Sequence, residues 1–163
     1  VGHNIVYSGT VGAGLEAAMC GLPAIAISLR DETRRPAYYA TAARVARNLA
    51  AAILAKGLPP GVALNVNVPN LPAREIAGFA LTRQGRETYV DVFEVTQSGP
   101  PEAERTLCVN LGGERVSSPQ TSQLLDDLAL NNNLISLTPL HSDLTCESAI
   151  DLLRDQLRHV RIV

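Results

Sequence analysis

Apolar and polar positions along the chain follow two periods. Residues 24–29 (Ala-Ile-Ala-Ile-Ser-Leu) are nearly all apolar, the pattern of a strand buried on both faces of a parallel sheet. Upstream, Ile5-Val6-Tyr7 is a short β-branched and aromatic run that predicts the end of a strand. Ser8-Gly9-Thr10 then predicts a tight turn. Ser8 or Thr10 caps a helix that runs through Leu15, Ala18 and Met19 and stops at Gly21. Pro23 prevents its continuation. Strand, glycine turn, helix, Gly-x-Pro and buried strand make a βαβ unit.

Further along, charged residues 30–35 predict a loop, and Pro36 suits the first position of a long Ala-rich helix over residues 37–56, ended by Gly57. After the turn Leu58-Pro59-Pro60-Gly61, Leu64, Val66 and Val68 alternate with Asn65 and Asn67, a strand over 63–68. Residues 78–82, 89–95 and 106–109 predict strands separated by polar turns at Gln84-Gly85 and Ser98-Gly99-Pro100-Pro101. This stretch reads as antiparallel, an extension beyond an α/β core. Residues 112–123 are polar and predict a loop. Residues 135–140 predict another buried strand, and residues 147–158 carry Ile150, Leu153 and Leu157 on one face, a terminal amphipathic helix. The fold class is α/β with a parallel-sheet core. The core takes residues 1–83 and 134–145, the β-rich extension 84–133 and the C-terminal helix 146–163.

A chain of 163 residues makes one domain of ordinary size, one that buries roughly 70% of its unfolded surface. Its 46% hydrophobic and 18% charged residues exclude a disordered or collagen-like polymer. Fourteen basic and sixteen acidic side chains, net charge −2, argue against a nucleic-acid duplex as partner and leave small phosphorylated ligands open. No apolar run reaches the roughly 18 residues of a membrane helix. Cys20, Cys108 and Cys146 are odd in number and widely spaced. They read as reduced thiols of a cytoplasmic protein. No signal peptide and no initiator Met are present, which suggests a fragment whose natural N-terminus is missing.

The strongest chemical signal is residues 7–14, Tyr-Ser-Gly-Thr-Val-Gly-Ala-Gly. Backbone N–H groups, a helix dipole and two hydroxyls together attract a phosphate, and Gly9 and Gly12 let a ligand approach the backbone. The spacing is neither the dinucleotide fingerprint nor a Walker A loop. Simple capping by Ser8 and Thr10 explains the same residues equally well. Glu16, six residues after Thr10, either faces solvent or orients the turn. His141, beside Asp143, is either a general acid or base or a residue that satisfies backbone groups. His3 and His159 lack metal-ligand spacing. Asp126-Asp127 reads as a solvated loop or helix start before a metal pair.

Several segments resemble one family. They are residues 6–13 continuing through Glu16 to residues 21–29, Leu64-Asn65-Val66-Asn67-Val68-Pro69, Thr82-Arg83-Gln84-Gly85, and residues 135–145 with Thr138-Pro139-Leu140-His141-Ser142-Asp143-Leu144-Thr145. In order and spacing they are similar to the survival protein SurE family of metal-dependent nucleoside monophosphate phosphatases. The resemblance implies a Rossmann-like core with N-terminal strands missing, and a β-rich extension used in oligomer contacts. It implies a nucleotidase that hydrolyses nucleoside 5′- or 3′-monophosphates with Mg²⁺ or Mn²⁺ and works as a homo-oligomer, dimer or tetramer. Ser8, Gly9 and Thr10 would line the phosphate site, and Glu16 matches the family's helix Glu. His141 and Asp143 fall in a segment given structural or hinge roles. The family's metal ligands would lie in the absent N-terminal segment, so no catalytic or metal residue is assigned here. The parent would be the enzyme and this chain alone would have little or no activity. Leu15-Glu16-Ala17 with Gly21-Leu22-Pro23 also fits nucleotide-sugar glycosyltransferases, and a non-enzymatic oligomerising fragment is the third reading.

Overall fold

The apolar run at residues 24–29 and the alternating run at 63–68 become neighbouring strands. In a computed structural model, which describes residues 1–30, 38–86, 88–98, 106–116 and 124–161, β1 (Ala24–Arg30) pairs in parallel with β2 (Ala63–Pro69). Their register sets Ala24 opposite Ala63 and Arg30 opposite Pro69. Between them runs α2 (Tyr39–Lys56), so the parallel crossover is β1–α2–β2. Val45, Leu49 and Ile53 of α2 recur every four residues and pack against Leu64, Val66 and Val68. Gly57, at φ 78, ends the helix as expected. Pro36 and the charged residues 31–35 lie outside the described residues.

Two more strands complete the sheet. β3 (Gly78–Leu81) and β6 (Leu134–Leu140) give the order β1-β2-β6-β3. β6 runs antiparallel to β2 and parallel to β3. The α/β class read from the sequence holds, but the sheet is mixed rather than wholly parallel. An apolar central strand is covered on both faces in either direction, so its composition does not record its orientation. A separate antiparallel ribbon forms from β4 (Thr88–Ser98) and β5 (Thr106–Val116). The expected antiparallel extension is therefore present. Residues 112–116, expected in a loop, continue its ladder opposite β4, with Gly113 paired to Asp91. The turn at residues 99–101 and residues 117–123 lie outside the described residues.

The two sheet faces differ in chemistry. Leu64, Val66, Val68, Ile135 and Leu137 form the core under α2. On the other face α1 (Gly9–Met19) meets the sheet through small residues: Ala18 packs with Ala24 and Ala63. A Cβ on Gly14 would stand 3.1 Å from the Ala26 Cβ, so Gly14 is what allows α1 to sit this close. The strand pleat puts Asn65, Asn67, Ser136 and Thr138 on this same face. All four are buried. The Thr82 hydroxyl lies 2.8 Å from Ser136 Oγ and 2.7 Å from Thr138 Oγ1, a buried hydroxyl cluster.

Two expectations change here. Residues 5–7 are not the end of a strand; they belong to a 3₁₀ helix, Gly2–Tyr7. Its start is fixed by a side chain far along the chain (below), which overrides the β propensity of three residues. Asp126-Asp127 does begin a helix, α3 (Asp126–Asn131), but both residues are fully buried rather than solvated. α3 packs on β6 and β2. The terminal helix is α4 (Glu147–Gln156), and none of its residues is buried.

Candidate phosphate-binding turn

Ser8 has the extended backbone of an N-cap, φ −86 and ψ 114. Its Oγ accepts the Val11 N–H at 3.3 Å, and its carbonyl accepts the Gly12 N–H at 2.9 Å. Ser8 rather than Thr10 is thus the cap. The first N–H groups of a helix have no intrahelical acceptor, and here Val11 alone of the first three is given one by the cap. The Gly9 and Thr10 N–H groups point out of an exposed helix start. A Cβ built on Gly9 or on Gly12 would meet nothing within 4 Å, so this side of the turn is open to a ligand. The dipole of an eleven-residue helix adds positive potential at the same place.

The turn sits at the carboxyl ends of β1 and β2. Gly14 lies against Ala26 and Ala63. Going back to Gly9 climbs about 7.5 Å of helix, and going from Ala26 to Ser28 climbs about 7 Å of strand. The first turn of α1 therefore lies level with Ser28 and its partner Asn67. Asn67 is 7% exposed, and its amide nitrogen has no hydrogen-bond partner among the described residues. Crevices at the carboxyl ends of parallel strands are where α/β sheets bind ligands. The sequence offered Asn67 only as the polar half of an alternating strand. Its burial follows from the helix layer above it.

Ser8, Gly9 and Thr10 are brought together; the other candidates are not. Glu16 is exposed on α1, two turns on from the cap. Leu140 pairs with Ala63, at the amino end of β2, so His141 and Asp143 leave the sheet at the end opposite the turn. Both are exposed. Asp143 Oδ1 accepts the Thr145 N–H at 2.8 Å, a local turn. The Thr145 hydroxyl and N–H, and to a lesser degree the His141 charge, hold the Asp143 carboxyl below its ordinary range.

Asp126, which the sequence offered with Asp127 as a solvated loop or helix start, is instead a buried acceptor. Its Oδ2 accepts the Gly2 N–H at 3.0 Å; its Oδ1 accepts the Gly85 N–H at 2.9 Å and the Asp127 N–H at 2.8 Å. Gln84 Nε2 donates to the Gly2 carbonyl at 3.0 Å. Among the described residues no group of three or more His, Cys, Asp or Glu could hold a metal ion. Asp126, already committed to three backbone donors, does not fit that use. The resemblance places the family's metal ligands outside this chain, and no metal residue is assigned here. Cys20 and Cys146 are free and exposed, and no helix among the described residues is long and apolar enough to cross a membrane.

Comparison with known proteins identifies the family and the fold. The family model for "Survival protein SurE" matches residues 1–91. The 5′-nucleotidase SurE of Syntrophus aciditrophicus is 42% identical over 154 residues, covering 94% of this chain and 56% of that protein. That of Syntrophobacter fumaroxidans is 40% identical over 153 residues (94% and 58%), and that of Coxiella burnetii 38% over 165 residues (99% and 60%). The chain thus spans little more than half the length of these relatives. The crystal structure of the SurE protein from Aquifex aeolicus superposes with a TM-score of 0.70 at 29% identity, covering 96% of this chain and 60% of that one. The turn, the sheet that carries it and these relatives lead to one conclusion: the chain belongs to the survival protein SurE family.

Proposed function

We propose that this chain supplies the phosphate-holding part of a phosphomonoester hydrolase that acts on nucleoside 5′- or 3′-monophosphates. The observation that carries the reading is the open, Ser8-capped start of α1, with outward N–H groups at Gly9 and Thr10. Relatives named 5′-nucleotidase SurE support the substrate class. In the reaction a water oxygen bonds to phosphorus, the ester P–O bond breaks, and nucleoside and phosphate leave. The Gly9 and Thr10 N–H groups hold the phosphoryl oxygens, and the Ser8 O–H, whose lone pair already serves Val11, still has its hydrogen to donate. The metal dependence in this reading, on Mg²⁺ or Mn²⁺, draws on ligands outside the described residues. The same reading takes the protein as cytoplasmic and homo-oligomeric, dimer or tetramer. The exposed free thiols suit a reducing compartment, and the exposed apolar face of α4 suits a contact between copies.

The test is phosphate release from a panel of nucleoside monophosphates with Mn²⁺ or Mg²⁺. It is run on this chain and on a version carrying the coding sequence that adjoins it in frame. Turnover by the longer protein that stops on chelation is the expected result. No release by either protein overturns the reading.

A further inference from the structure

We infer that Asp126 is a positioning residue for the phosphate-binding turn, acting through a clamp on the Gly2–Tyr7 segment that leads into it. The inference rests on the proposed nucleotidase reading for its catalytic consequence. The clamp itself stands on the geometry. Asp126 is fully buried, and its carboxyl oxygens are taken up by backbone donors. Its two oxygens take three backbone N–H groups, from three places separated in sequence: Gly2, Gly85 and Asp127. Gln84 closes the ring by donating to the Gly2 carbonyl. Gly2, at φ 58, is itself buried and opens the 3₁₀ helix.

From that fixed point a short, hydrogen-bonded path leads to the site. The six residues of the 3₁₀ helix end where the Ser8 N–H donates to the Ile5 carbonyl at 3.1 Å, and Ser8 is at once the cap of α1. Gly2 is tied to α3 and to the Gln84-Gly85 turn, and α3 is tied to the far end of β1 by Arg30 Nη1 donating to Asn131 Oδ1 at 3.0 Å. One carboxyl group thus sets the height of the Ser8-Gly9-Thr10 N–H groups over the sheet. Binding groups displaced by about 1 Å lose rate by about 10²-fold, so a clamp here is felt in turnover more than in fold.

The donor count makes a selective test possible. Two of the three N–H groups go to Oδ1, so in Asp126→Asn the amide oxygen stays with Gly85 and Asp127. The amide NH₂ then faces the Gly2 N–H, donor against donor. The variant frees the segment before the turn and keeps the start of α3. In the turnover-competent protein, Asp126→Asn is expected to lower kcat about 10- to 100-fold. Amide hydrogen exchange should speed up over residues 2–11 while β2 and β6 keep their protection. Gln84→Ala, a milder change at an exposed residue, should move both readouts the same way by a smaller factor. Unchanged kcat in both variants overturns the inference. So does exchange that rises equally in β2 and β6, which would make Asp126 a general support of the fold. If the wild-type protein releases no phosphate at all, the nucleotidase reading fails by itself. The clamp is then judged by exchange alone: local loss over residues 2–11 upholds it and no change overturns it.

Discussion

The Ser8 hydroxyl accepts the Val11 N–H and keeps its own hydrogen for a ligand, so two roles share one atom. Ser8→Ala removes both. It should cost about 1 kcal/mol in denaturant unfolding and about 10²-fold in phosphate release by the active parent. Ser8→Asp separates the roles: it is as good a cap, but it sets a negative charge where a phosphate would lie. Stability should return in that variant and phosphate release should not; recovery of both would show that Ser8 only caps. Asp143 gives a second check at this scale. Its folded carboxyl lies low because Thr145 donates to it twice. A depressed folded pKa stabilises at pH values above the ordinary carboxylate range and is lost as the pH falls through the folded value. An NMR titration should find the Asp143 midpoint below that range, and Thr145→Val, which removes the hydroxyl donor, should move it up. Ser8 was legible in the sequence because capping chemistry is local. Asp126 was not. An acidic pair is ordinarily exposed, and the donors that make burial possible are Gly2, 124 positions away, and Gly85, 41 away.

Helices were easier to read than strand directions. The stops at Gly21 and Gly57 and the four-residue stripe of α2 are properties of single elements. The antiparallel entry of β6 beside β2 is a property of a pair, and no periodicity encodes it. The first βαβ unit was likewise misplaced: the segment before α1 is 3₁₀, and the crossover is β1–α2–β2. At this scale the approach of α1 to the sheet makes a firm prediction. Gly14→Val sets branched carbons where one Cβ is already 3.1 Å from Ala26. It should cost about 1–3 kcal/mol by overpacking, read as a lower denaturant midpoint with an unchanged slope. Asn133, at φ 59, stands where α3 hands over to β6. Asn133→Gly should be neutral or stabilising and Asn133→Val clearly destabilising, since β-branched residues fit that region poorly.

Across the whole molecule, the apolar material is unevenly divided. The α2 side carries the branched core, and it also holds a cavity of about 250 Å³ lined by Val45, Asn48, Leu49, Phe79, Ile135 and Leu137. Phe79 and Leu81 are 71% and 73% exposed, and Leu153 of α4 and Leu157 at its C-cap are about half exposed. Exposed apolar groups of this kind favour association. Sedimentation at rising concentration should show species larger than the monomer, and Leu153→Lys with Leu157→Lys should reduce them if α4 is the contact. The α1 side is held by Val11, Leu15, a set of alanines and hydrogen bonds. Alanines bury little area each. The layer that carries the phosphate turn is therefore the more weakly attached of the two, and it should open before the rest of the molecule unfolds. A bound phosphate ester would then act as a latch on that layer. Its presence should be readable as slowed proteolysis between residues 2 and 20, before any turnover is measured.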